Sequence, residues 1–176
     1  LIYLLSTAII LFWFFPYQTS AMGLILALLL YSIGKLWYHA FFQEIMAYII
    51  VTVISVDIGA YIVGRFLGGP KLLPEVSPAK TISGAIGGLV GGFVAGLSIC
   101  YFLAIAITQE LVFLTLGVAI LAQAGDITES IFKRSINTKD SAKIIPGHGG
   151  FMDRFDGYLY VIPLFALSPA QGLFFQ

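Results

Sequence analysis

Residues 126–156 read Asp126-Ile-Thr-Glu-Ser-Ile-Phe-Lys-Arg-Ser-Ile-Asn-Thr-Lys-Asp-Ser-Ala-Lys-Ile-Ile-Pro-Gly-His-Gly-Gly-Phe-Met-Asp-Arg-Phe-Asp156. This stretch holds five of the nine acidic side chains (Asp126, Glu129, Asp140, Asp153, Asp156) and five of the nine basic ones (Lys133, Arg134, Lys139, Lys143, Arg154). The sequence on either side is oily. Charge of both signs, a histidine and a glycine pair are thus gathered at one break in a hydrophobic chain.

That contrast sets the class. The 176 residues are 59 % hydrophobic and 10 % charged, with a mean hydropathy of +0.97, whereas a soluble domain carries about 25 % charged residues. The composition is that of an integral membrane protein. Net charge is zero, so no bulk basicity points to nucleic acid. The one cysteine, Cys100, lies in an apolar run and permits no disulfide within the chain. Residues 1–15 are already apolar from Leu1 and lack the basic start and small-residue cleavage site of a signal peptide, so an internal starting point is expected.

A spanning helix needs about 20 mostly apolar residues, and on that rule six stretches qualify: 1–15, 20–37, 43–66, 82–107, 110–132 and 155–174. The expected fold is all-α, a polytopic transmembrane helical bundle with two cytoplasmic polar loops, 67–81 and 133–154. The expected division is N-terminal spans over residues 1–50 and, over 51–176, a membrane domain that carries the polar loops and any site chemistry. The first loop is rich in Gly, Pro and polar residues (Gly68, Gly69, Pro70, Pro74, Pro78). The fourth span opens with glycines at 84, 88, 92 and 96 and a second row at 87 and 91, each row on one helix face where another helix can approach closely. If spans three to six are antiparallel neighbours, both loops lie on one side. Arg65, Lys71, Lys80, Lys133, Arg134, Lys139, Lys143 and Arg154 then oppose only Lys35, and the positive-inside bias turns both loops to the cytoplasm.

Carboxylates inside spans are costly and normally face a partner or a polar cavity, which singles out Asp57 and Asp126. Asp126, Glu129 and Lys133 share a helical face; Glu129 and Lys133 could simply pair along the helix, while Asp126 has Ser130 at i+4 and needs a cation from elsewhere. Asp153 and Asp156 open the sixth span, where they could complement the helix dipole or join the other acids around one divalent ion. Oxygen-only ligands suit magnesium, and the absence of a Cys/His cluster disfavours zinc. The turn Pro146-Gly147-His148-Gly149-Gly150, flanked by cations, suits an anion such as phosphate. His148 could donate to that phosphate, act as a general acid or merely fix the turn. In the first loop, Lys71, Ser77, Lys80 and Thr81 could add phosphate contacts or serve only topology.

Several blocks resemble the phosphatidate cytidylyltransferases, also called CDP-diacylglycerol synthases. The first is Ser130-x-Phe132-Lys133-Arg134, then Lys139-Asp140-x-Ala142 and Ile145-Pro146-x-His148-Gly149-Gly150-Phe151-x-Asp153-Arg154-Phe155-Asp156. A second is Asp57-x-Gly59-Ala60-Tyr61-x-x-Gly64-Arg65, then Lys71-Leu72 and Ser77-Pro78-x-Lys80-Thr81, and a third is Gly125-Asp126-x-x-Glu129-Ser130. The similarity runs from about residue 57 to 160. It departs from the family at Ile82 and Ser83, where relatives carry an aromatic and then an acidic or amide residue.

The resemblance implies transfer of a cytidylyl group from CTP to phosphatidate. It implies Mg2+ held by Asp126 and Asp153, with Asp156 and Asp57 as further ligands or their partners, and a second cation is left open. Lys133, Arg134, Lys139 and Arg154 would neutralise the triphosphate or the leaving pyrophosphate, and the His148-Gly149-Gly150 turn would fix it. Lys71, Ser77, Lys80 and Thr81 would meet the lipid phosphate or the nucleotide. The setting implied is a bacterial inner membrane, with membrane lipid and CTP as partners, no nucleic acid, and a homodimer as one outcome for assembly. Two rivals are weighed against it: an enzyme acting on CDP-alcohols, whose Asp-Gly-x-x-Ala-Arg pattern is absent, and an ion-coupled transporter, which calls for an internal repeat that the sequence lacks.

Overall fold

The computed structural model describes residues 17–136 and 155–175. Four of its helices are long and apolar enough to cross a membrane: α1 (Tyr17–Trp37), α2 (Phe42–Leu67), α3 (Ile82–Phe102) and α4 (Gln109–Ser135). Candidate span 1–15 lies outside the described residues. The fourth span stops at Phe102 rather than 107, because the chain turns at Ala104, whose φ of +57° leaves the helix basin.

Two expectations need correction. Loop 67–81 is an antiparallel hairpin, β1 (Lys71–Leu73) with β2 (Ser77–Thr81), so the fold is not purely α. Gly68 and Gly69 release the chain from α2 at φ of +59° and +107°, values open to glycine and costly for other residues. The sixth stretch is not one span. It is a 3-10 turn at Asp156–Tyr158, a short helix α5 (Val161–Leu167) and a second 3-10 segment at Pro169–Phe175. Pro163 is tolerated because it sits in the first turn of α5, where its missing N–H costs no bond. Pro169 forces Ser168 to an extended conformation (φ −107°, ψ 166°) and ends the helix.

The glycine rows pack as expected, against α2. A Cβ at Gly59 would lie 2.6 Å from the Gly87 carbonyl oxygen, and one at Gly64 would lie 3.2 Å from the Gly84 Cα. Gly88, Gly92 and Gly96 continue the seam against Val56 and Thr52. On the opposite face of α3, Ile82, Ile86, Val90 and Val94 stand exposed. One helix therefore presents small residues to protein and branched apolar residues outward, the division that close helix packing in a bilayer requires.

Away from the hairpin the core is aromatic. Tyr48 is buried, donates to Thr115 Oγ1 at 2.9 Å and meets Phe165 at a tilt and Phe174 edge to face, with ring centroids 5.7 and 5.3 Å away. These contacts hold the C-terminal segments in the bundle. Lys35 Nζ caps α5 by donating to the Ala166 carbonyl at 2.5 Å.

Candidate active site

The hairpin is fastened at its base. Ile82 N–H donates to the Pro70 carbonyl at 3.0 Å, the Ser83 hydroxyl donates to the Gly68 carbonyl, and Thr81 Oγ1 caps α3 by accepting from Gly84 N–H at 3.1 Å. Ser83, the departure from the family pattern, thus joins the end of α2 to the start of α3. With its base held, β2 carries Lys80 inward to Asp126, and Nζ stands 2.8 Å from Oδ2. This is the cation that Asp126 lacks on its own helix. Asp57 and Asp126 sit more than two turns inside the ends of α2 and α4, about 13–15 Å deep at 1.5 Å per residue, rather than at the mouths of the spans.

The acids meet from three elements. Asp57 on α2 is within electrostatic reach of Asp126 and Asp156. Gly125 makes room for the third element: a Cβ there would overlap the Asp156 carbonyl oxygen. The Asp156 carboxylate accepts from Gly157 N–H at 2.7 Å. Burial, and then the charge of Asp126, push Asp156 up to about 6 despite that bond. Burial, with Asp57 and Asp156 nearby, likewise raises Tyr158. Glu129 is fully buried and its Oε2 pairs with Lys133 Nζ at 3.2 Å, so the pairing along the helix is the one realised. Among the described residues, Asp57, Asp126, Glu129 and Asp156 outnumber the cations paired with them, Lys80 at Asp126 and Lys133 at Glu129. A bound cation would relieve that excess of negative charge. The oxygen-only donors suit a hard divalent ion, although among the described residues no three acidic, histidine or cysteine side chains stand close enough to hold one.

A cavity of about 340 Å3 opens between α2, the hairpin, α3 and α4. Asp57, Asp126, Lys80 and Thr81 line it; Lys71 and Ser77, on the hairpin, do not. Lys133 and Arg134 belong to the last turn of α4 rather than to a loop, and Arg134 Nε donates to the Val76 carbonyl at 3.1 Å, placing the hairpin and the end of α4 at one end of the bundle. Lys139, His148, Gly149, Gly150, Asp153 and Arg154 lie outside the described residues. The cavity also includes residues given no site role from sequence: Tyr61 and Arg65, which stand in the family-like block, and Gln123. Gln123 Nε2 donates to the Ala85 carbonyl at 3.0 Å; an amide within an apolar span was its only signal.

Residues 2–169 match the "Cytidylyltransferase family". The chain is 38 % identical over 137 residues to a protein of Staphylococcus haemolyticus (strain JCSC1435) named phosphatidate cytidylyltransferase, covering 76 % of this chain and 53 % of the relative. It is 38 % identical over 145 residues to one of the same name from Staphylococcus aureus (strain COL), covering 80 % and 56 %. The chain therefore spans about half the length of the curated relatives it matches. With a match over nearly all of its residues, the chain belongs to the cytidylyltransferase family.

Proposed function

We propose that the protein transfers CMP from CTP to phosphatidate, giving CDP-diacylglycerol and pyrophosphate, in a bacterial inner membrane with the hairpin end of the bundle toward the cytoplasm. The observation that carries this reading is the meeting of Lys80 with Asp57 of α2 and Asp126 of α4 at one cavity inside an apolar bundle, with Asp156 within electrostatic reach of both acids. Relatives named for that activity support it.

A phosphate oxygen of phosphatidate attacks the α-phosphorus of CTP. The new P–O bond forms as the bond from the α-phosphorus to the bridging oxygen breaks, and the electron pair leaves on pyrophosphate. The phosphomonoester is already anionic near neutral pH, so no general base is obligatory, and positioning with charge neutralisation carries the catalysis. Asp126, Asp153, Asp156 and Asp57 would hold Mg2+, which when bound neutralises triphosphate oxygens. Lys133 and Arg154 would stabilise charge developing on the leaving group. Arg134, Lys139 and the His148-Gly149-Gly150 turn would fix the triphosphate, while Lys71, Ser77, Lys80 and Thr81 meet phosphate from the hairpin side. Lys80 is the pivotal member: a cation at Asp126 would free its ammonium for an incoming phosphate.

The test is incubation of membranes holding the full-length protein with radiolabelled CTP and phosphatidate. Label is expected in the lipid phase, dependent on magnesium, and Asp153→Asn is expected to abolish it while the protein stays folded. No label in lipid overturns the function; near-normal turnover by Asp153→Asn overturns its part in metal binding.

A further inference from the structure

We propose that Arg65 receives the phosphate head of a membrane-borne phosphomonoester at a lateral mouth of the cavity; the proposal rests on the lipid-substrate reading above. Tyr61 and Arg65 line the cavity and are also exposed on the outer face of α2. Beside them Ile58, Ile62 and Phe66 are 52, 46 and 83 % exposed. The opening thus gives onto a surface fit for acyl chains rather than water.

The cations of the cavity differ in their commitments. Lys80 is ion-paired with Asp126. Arg65 Nη1 donates to Tyr61 Oη at 2.5 Å, and its guanidinium lies 5.8 Å from the Tyr61 ring centroid. Among the described residues the ion pairs are Lys80 with Asp126 and Lys133 with Glu129, so Arg65 has no acidic partner there. A guanidinium presents five N–H donors in a planar fork that fits two oxygens of one phosphate. Tyr61 holds that fork at the rim and leaves its remaining donors for a ligand. Leu72 and Ala79 of the hairpin add apolar lining next to it. A charged fork beside an apolar slot facing lipid fits an amphiphile with an anionic head. A nucleotide triphosphate suits the deeper carboxylates and their cation instead.

The test measures lipid retention, without CTP, by the full-length protein in nanodiscs or micelles, comparing dioleoyl phosphatidate with dioleoylglycerol. Wild type should prefer phosphatidate, Arg65→Gln should lose about tenfold or more of that preference, and Arg65→Lys should recover part of it. Equal preference in wild type and Arg65→Gln overturns the proposal. So does a wild type with no preference, or displacement of the lipid by glycerol 3-phosphate at equal concentration, which would mark a general anion site. Turnover measured in parallel separates the two readings. With Arg65→Gln the KM for phosphatidate should rise about tenfold while the KM for CTP stays within about twofold. Arg65-dependent retention in a protein that makes no CDP-diacylglycerol would sustain the site and sink the assigned function.

Discussion

The two halves of the bundle are built on opposite terms. Far from the hairpin, Tyr48, Thr115, Phe165 and Phe174 meet in a packed cluster in which the tyrosine hydroxyl has its partner. Near the hairpin, among the described residues, Lys80 pairs with Asp126 and Lys133 with Glu129, while the Asp156 carboxyl is pushed up by burial and by Asp126. One half is closed by its own contacts; the other gathers like charges that a bound cation would relieve. Stability and turnover should therefore separate along the axis of the bundle.

Substitutions that break this separation are informative in order of size. Asp126→Asn should lower kcat at least about a hundredfold, the scale of removing one preorganised electrostatic contact, while thermal denaturation in detergent shows no loss of stability. A simultaneous drop in Tm would mean that the Lys80 pair holds the fold. Gly59→Ala should do the reverse. Its Cβ meets backbone, which cannot swing aside, so a loss of about 1–3 kcal/mol is expected, read as a lower denaturation midpoint with KM for CTP unchanged in the folded fraction. Tyr48→Phe removes one hydroxyl but keeps the ring, and Thr115 still donates to the Leu111 carbonyl at 2.8 Å; the loss should be about 0.6 kcal/mol. Arg134→Ala, at an exposed site, should alter stability by less than about 0.5 kcal/mol yet raise the KM for CTP, which steady-state assays would detect.

Much of this was legible in the residues. Hydropathy located the four long helices to within a few positions, because lipid exposure acts on every residue of a span. The glycine rows at 84, 88, 92, 96 and at 87, 91 announced a close helix seam for the same reason. Hydropathy failed at 155–174, since it measures partitioning and not backbone continuity, and Pro163 and Pro169 were passed over. The hairpin was hidden because Lys71–Leu73 and Ser77–Thr81 lack the alternation of a half-buried strand and are held by contacts at their base. The site was legible in its residue types but not in its pairings. Asp126 announced a need for a cation, yet only the fold brings Lys80 to it, and Arg65, counted for topology and present in the family-like block, gains a setting from Tyr61 and the cavity.

One joint carries a mechanical consequence. Strand β2 ends at Thr81 and helix α3 begins at Ile82, with no residue between them to act as a hinge. Lys80 is therefore geared to a transmembrane helix and cannot swing independently of its first turn. A single residue inserted after Thr81 would turn the strand about 100° around the helix axis, swinging the ammonium out of phase with Asp126 even though every side chain of the site remained present.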